Sequence, residues 1–151
     1  NSTPFIPNKP VWDELAAKAR AEGMAGIARS TIESWLSDGF RAGHKDAVEQ
    51  LVAAMAGMAP VGYAGNTSVL RDVDLRAALA SISAPTLVIG GAEDGPRGAS
   101  VPVMTQGVQN GRSVILPNAA HLGYVENPAA FNDALLAHLD APASAADQPP
   151  Q

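Results

Sequence analysis

Apolar positions in the first half of the chain recur at three- and four-residue steps. Met24, Ile27, Ala28, Thr31, Ile32 and Trp35 mark one helix face, and Val48, Leu51, Val52 and Met55 mark a second. Asn8 and Pro10 open an earlier helix that Gly23 closes. Gly39 and Gly43 break the pattern between the two stripes, and Pro60 ends the second stripe. A shorter helix is expected over 61–70, and Asp74 is placed to cap another running to about Ile82.

The second half has a different pattern. "APTLVIGG" is a short continuous apolar run, introduced by Pro85 and ended by two glycines, which predicts a strand buried on both faces in a parallel sheet. "VPVMTQGVQ" reads as a crossover helix and "SVILP" as a second buried strand. "NPAAFNDALLAHL" reads as an amphipathic helix, with Pro128 in its first turn and Phe131, Leu135 and Leu139 at four-residue steps. The order strand–helix–strand–helix is a βαβα unit, so the fold class is α/β. Right-handed crossover puts the two strands side by side, leaving apolar faces and unpaired edges. The sheet is therefore expected to be completed by another polypeptide segment.

Composition narrows the function. Among 151 residues, 46% are hydrophobic and 17% charged, within the range of one globular domain or a piece of a larger one. A net charge of −5 gives no footprint for nucleic acid, and no Lys/Arg block addresses a membrane surface. No apolar run approaches the roughly 18 residues of a membrane span. Without cysteine there is no disulfide framework and no thiolate nucleophile, which fits a cytoplasmic protein. Three widely spaced histidines form no metal pattern, and "GAEDGPRG" has neither dinucleotide nor P-loop spacing, so no metal or cofactor is expected. The start "NSTPFIPNKP" has no signal-peptide design and no initiator Met, so the chain is expected to be processed or trimmed. The small, polar, Pro-rich stretch 141–151 is expected to be a disordered tail.

Two residues stand where α/β chemistry collects. Asp94 follows the first strand and His121 follows the second, in "PNAAHLGYVENP". Ligands of open parallel sheets gather outside the carboxyl ends of the strands, and adjacent strands put both residues on that rim. A carboxylate accepting the Nδ1 proton fixes the imidazole tautomer, leaving the other nitrogen free to act as a base. Each residue also has a plain reading, Asp94 as a turn former and His121 as a solvated loop side chain. Glu93 competes for the carboxylate role. His44 reads as solvated, and His138 complements a helix C-terminus. No serine sits in a G-x-S-x-G turn, and Asn1 is a poor N-terminal nucleophile.

"APTLVIGGAED" followed by "SVILPNAAHLGYVENPAAFNDALLAHL" resembles the C-terminal part of an α/β-hydrolase. In that fold an acid follows the seventh strand and the histidine follows the eighth. Glu126, Pro128 and Phe131 match the typical ending after the histidine, while Ala120 stands where many members have Gly. "VWDELAAKARAEGMAGIARSTIESWLSDGF" and "GYAGNTSVLRDVDLRAALASISAPTLVI" look like the lid and linker of the 3-oxoadipate enol-lactonase group. The resemblance implies a lid and linker helix over 1–82 and a core βαβα part over 83–140. It also implies that the first residues lie at the lid entrance, just after the sixth strand.

The expectation that follows is one part of a serine-type hydrolase of an ester or lactone, with Asp94 and His121 as acid and base. The serine, its G-x-S-x-G elbow and the oxyanion hole are then expected on an N-terminal half present as a second chain. The isolated chain is expected to be inactive. Trp35 is the leading candidate to line the substrate pocket, with a core position on the helix stripe as its alternative. Leu122 is a second lining candidate, while Met55 and Met58 are expected to pack within the lid. The competing class is a non-catalytic binding or structural fragment of an α/β-hydrolase.

Overall fold

The computed structural model describes residues 3–141. The first half is helical. Helix α1 (Pro10–Glu22) starts on a proline and ends at Gly23, whose φ of 75° turns the chain while its N–H still bonds Ala19. Helices α2 (Ala25–Trp35), α4 (Lys45–Ala56) and α5 (Pro60–Asp72) follow the expected apolar stripes. α1 packs on α5, and α2 on α4. Ile27, Ile32, Leu36, Phe40, Met55 and Tyr63 form the centre of the shared core. Each large aliphatic side chain so buried contributes about 1.5–3 kcal/mol.

Four local readings are corrected. Gly39 and Gly43 do not break the chain into a loop, because α3 (Asp38–Gly43) forms there. Ser37 Oγ accepts the Phe40 N–H at 3.2 Å, and buried Phe40 anchors the turn, which together outweigh the poor helix propensity of glycine. α5 is longer than the expected 61–70 stretch. The element after Asp74 is a 3₁₀ helix (Arg76–Ser81) with Leu75 at the N-cap position, and Asp74 Oδ1 accepts its first N–H, that of Arg76, at 3.3 Å. Asp74 also forms a bridge to Phe5 and grips the Arg76 guanidinium. Met58 is 45% exposed, two residues past the end of α4 at Ala56, whereas Met55 is buried.

Strands β1 (Thr86–Gly91) and β2 (Gly111–Leu116) run parallel, in register from Thr86 opposite Gly111 to Gly91 opposite Leu116. A 3₁₀ turn (Gly95–Ala99) and helix α6 (Ser100–Gly107) make the crossover. After β2 come a single-turn helix α7 (Gly123–Glu126) and the final helix α8 (Pro128–Leu139). Asn118, in the turn that leaves β2, takes a positive φ of 53°, a conformation asparagine tolerates well. Asn127 caps α8 by accepting the Ala130 N–H at 3.2 Å and ties it back by donating to Pro117 O at 2.9 Å.

The strands are not buried on both faces within this chain, contrary to expectation. β1 is mixed, and in β2 only Leu116 is fully buried. Ile115 is 52% exposed and Leu139 of α8 is 66% exposed. Two strands and their flanking helices offer too little surface to cover both sheet faces and the apolar stripe of α8. The tail expected over 141–151 lies, beyond Ala141, outside the described residues. Among the described residues, no helix is long and apolar enough to cross a membrane.

Candidate active site

The rim of the sheet is assembled by main-chain bonds between the loops that leave β1 and β2. Ala92 N–H donates to Leu116 O at 2.9 Å, and Glu93 N–H donates to Ala119 O at 2.8 Å. Gly91 makes this approach possible. A Cβ at that position would lie 2.1 Å from Ala120 O and 2.4 Å from Ala119 O. The apolar run that marks the strand therefore ends on a residue that must have no side chain.

This closure brings Asp94 and His121 into contact. His121 Nδ1 lies 3.0 Å from Oδ2 and 3.2 Å from Oδ1 of Asp94. The Asp94 side chain is fully buried, whereas that of His121 is 23% exposed. Arg97 stands behind the pair, with Nη1 at 3.9 Å from Asp94 Oδ1, while its guanidinium donates to Ser34 O and Oγ. Burying a carboxylate is costly unless it is paired, and the imidazole and the guanidinium are among the partners of Asp94 here. Glu93 is exposed and contributes its main-chain N–H, so the carboxylate at the imidazole belongs to Asp94.

Trp35 and the histidine meet twice. The His121 N–H donates to Trp35 O at 2.9 Å, and the two rings lie 5.7 Å apart, tilted by 41°. Trp35 is half-buried at the C-terminus of α2, in contact with both the helical core and the imidazole. Leu122 is half-buried against the same helical core. His44 is exposed, with its ring stacked on Phe40 at 4.4 Å, and His138 sits in the last turn of α8.

Glu126 has a place that side-chain patterns did not reveal. Its Oε1 accepts the Ser37 N–H and its Oε2 accepts the Ala120 N–H, each at 2.7 Å. One carboxylate thus joins the end of the α2 segment to the residue before the histidine. The sequence signal was the Glu in the ending after His121, but its partners are main-chain amides.

The recess beside the imidazole, lined by Ile89, Gly91, Leu116, His121, Tyr124 and Phe131, holds about 20 Å³. Ligand chambers run to hundreds of Å³, so the described residues do not enclose a ligand chamber there. The larger groove, about 490 Å³ along Ala42 to Ala47, carries none of the paired residues.

No protein-family model matches the chain. It is 31% identical over 144 residues to 3-oxoadipate enol-lactonase 2 of Acinetobacter baylyi, across 89% of this chain and 51% of that protein. It is 33% identical over 146 residues to a pimeloyl-[acyl-carrier protein] methyl ester esterase of Klebsiella pneumoniae subsp. pneumoniae, across 90% of this chain and 56% of that one. Among solved structures, the enol-lactonase of Burkholderia xenovorans LB400 superposes with a TM-score of 0.87 at 26% identity, covering 92% of this chain and 54% of the other. The chain spans about half the length of the curated relatives it matches. With its parallel strands, the rim they form and this similarity along nearly all of its length, the chain has the fold of the C-terminal part of an α/β-hydrolase and is related to that superfamily, 3-oxoadipate enol-lactonases among its relatives.

Proposed function

We propose that the chain supplies the acid and the base of a serine-type hydrolase acting on an ester or lactone. Asp94 and His121 are two members of a Ser-His-Asp triad, and the serine belongs to a separate N-terminal segment bearing G-x-S-x-G. The observation that carries this reading is the 3.0 Å contact between His121 Nδ1 and a fully buried Asp94 carboxylate at the carboxyl ends of two parallel strands.

The chemistry follows from that geometry. With Nδ1–H donated to Asp94, the imidazole presents Nε2 as its basic nitrogen. Nε2 takes the serine proton as the hydroxyl attacks the carbonyl carbon, and Asp94 stabilises the imidazolium that results. The same proton then passes to the leaving oxygen; a water deprotonated by Nε2 next attacks the acyl-serine carbonyl, and its proton returns to the serine oxygen as that bond breaks and the acid product leaves. Main-chain amides of the serine-bearing segment hold the oxyanion, usually the largest electrostatic contribution, so the isolated chain has negligible turnover. The helical half acts as a lid, with Trp35 and Leu122 lining the substrate side. The enol-lactonase and esterase relatives favour a carbonyl bearing an oxygen leaving group.

The test pairs the chain with the serine-bearing segment and measures hydrolysis of an enol-lactone and of simple esters. Turnover that appears only with both segments, and that His121→Ala removes, is the expected result. A purified chain that is folded, monomeric and indifferent to such a segment overturns the reading and favours a non-catalytic fragment.

A further inference from the structure

The hydrogen bonds around Glu126 do more than close a turn. Three bonds connect the C-terminus of α2 to the histidine loop. His121 N–H donates to Trp35 O at 2.9 Å, Ser37 N–H to Glu126 Oε1 at 2.7 Å, and Ala120 N–H to Glu126 Oε2 at 2.7 Å. The two amides gripped by Glu126 come from segments 83 positions apart (120 minus 37), one in the helical half and one on the sheet rim.

We infer that Glu126 is a positioning residue for His121, clasping the histidine loop to the helical half so that the imidazole stays against Asp94. The inference rests on the reading of Asp94 and His121 as an acid–base pair. Among the described residues, the loop from Pro117 to Leu122 runs past the β1–β2 ladder and is tied at Pro117 by Asn127 and at Ala119 by the Glu93 N–H. It leaves β2 through a positive φ at Asn118, so the direction of Ala120 and His121 depends on what holds them. A carboxylate accepting two N–H groups is suited to this, because charge-assisted bonds are about twice as strong as neutral ones and each oxygen is committed to a different segment. Because one oxygen serves each half, displacement of the helical half by a substrate is felt at the residue next to the base.

The experiment uses the chain as it stands and does not require turnover. Amide hydrogen exchange and ¹⁵N imidazole spectra are compared for the parent, Glu126→Ala, Glu126→Gln and Asp94→Asn. Loss of a charge-assisted bond accelerates exchange at Ser37 and Ala120 by roughly ten- to a hundredfold, while amides of the α2–α4 core stay unchanged. In Glu126→Ala the Nδ1-bound proton resonance of His121 broadens or moves. In Glu126→Gln the carbonyl oxygen still accepts one N–H but the NH₂ meets a second donor, so one of the two amides recovers protection. A merely structural Glu126 would lower the melting temperature and leave the imidazole spectrum in place. An unchanged His121 spectrum in Glu126→Ala, or in Glu126→Gln when the Ala120 amide has lost its protection, overturns the inference, and the Gln variant decides it if the Ala variant does not fold. Asp94→Asn separates the two levels. If it leaves the imidazole spectrum unchanged, the acid–base pairing has failed, irrespective of the clasp.

Discussion

The Asp94 carboxylate faces His121 Nδ1 with both oxygens, at 3.0 and 3.2 Å, although the two residues come from different loops. This arrangement favours the Nδ1–H tautomer and leaves Nε2 as the unprotonated ring nitrogen. If a serine-bearing segment completes the site as proposed, Asp94→Asn is expected to lower kcat by about 10⁴-fold with little change in KM, because it removes orientation and charge without removing volume. His121→Ala is expected to lower it at least as far. Steady-state kinetics on a chromogenic ester checks both, and an Asp94→Asn enzyme within about tenfold of the parent would exclude Asp94 as the triad acid.

Glycine substitutions should separate close approach from chain flexibility. At Gly91 a methyl group would lie 2.1 Å from Ala120 O, against main chain that cannot swing aside. Gly91→Ala is expected to destabilise by about 1–3 kcal/mol and to part the loops that carry Asp94 and His121. Gly62, exposed within α5, has nothing within 4 Å of the place a methyl group would occupy. Gly62→Ala is expected to stabilise by about 0.5–1 kcal/mol, since alanine loses less backbone entropy in a helix. Urea denaturation of the two variants gives both signs.

The rim was legible in the sequence because its signals are local. Continuous apolar runs ending in Gly-Gly and in Pro-Asn mark where strands stop, and the residues just beyond them are Asp94 and His121. The helices α2 and α4 were legible because their apolar stripes are buried inside this chain. α3 was not, because Ser37 Oγ and the burial of Phe40 override two glycines that local propensity counts against a helix. Glu126 was visible only as a letter in a motif, since its partners are amides of Ser37 and Ala120, and main-chain groups leave no residue-type signal. The exposure of β2 and α8 departs from their apolar pattern because two strands and the helices beside them offer too little surface to cover it.

Asp74 gives the N-terminal segment a pH dependence. Its carboxylate accepts from the Arg76 guanidinium at 2.9 and 2.7 Å, and hydrogen bonding to Arg76 lowers its pKa from 3.8 to about 2. Arg76 also covers the ring of Phe5 at 3.9 Å, so the pair holds the residues that precede α1. A carboxylate with a depressed folded-state pKa contributes stability that is fully present above its unfolded value and is lost as pH falls through the folded one. The parent should therefore exceed Asp74→Asn in melting temperature above pH about 4, with the difference closing toward pH about 2. The group is exposed, so the difference is small and shrinks with added salt. A gap that persists below pH about 2 would assign the effect to packing instead.

The edge of β1 that faces away from β2 offers the most direct test of the proposed completion of the sheet. Thr86 N–H donates to Asn110 O and Ala92 N–H to Leu116 O, so the alternation of a parallel ladder turns the N–H groups of Thr86, Val88 and Gly90 toward β2. Those of Leu87 and Ile89 then point to the opposite edge, where an added strand would pair. In the isolated chain, Leu87 and Ile89 amides are expected to exchange fast while Val88 and Gly90 are protected. Binding of a serine-bearing segment that supplies the neighbouring strand should slow Leu87 and Ile89 by orders of magnitude and leave Val88 and Gly90 as they were. Residue-resolved hydrogen exchange with and without that segment makes the comparison. If Leu87 and Ile89 remain unprotected in a complex that hydrolyses esters, the partner joins elsewhere, and β1 is a true edge of the active sheet. If they are already protected in the isolated chain, the edge is occupied by a second copy, and a mass measurement at the same concentration will show a dimer.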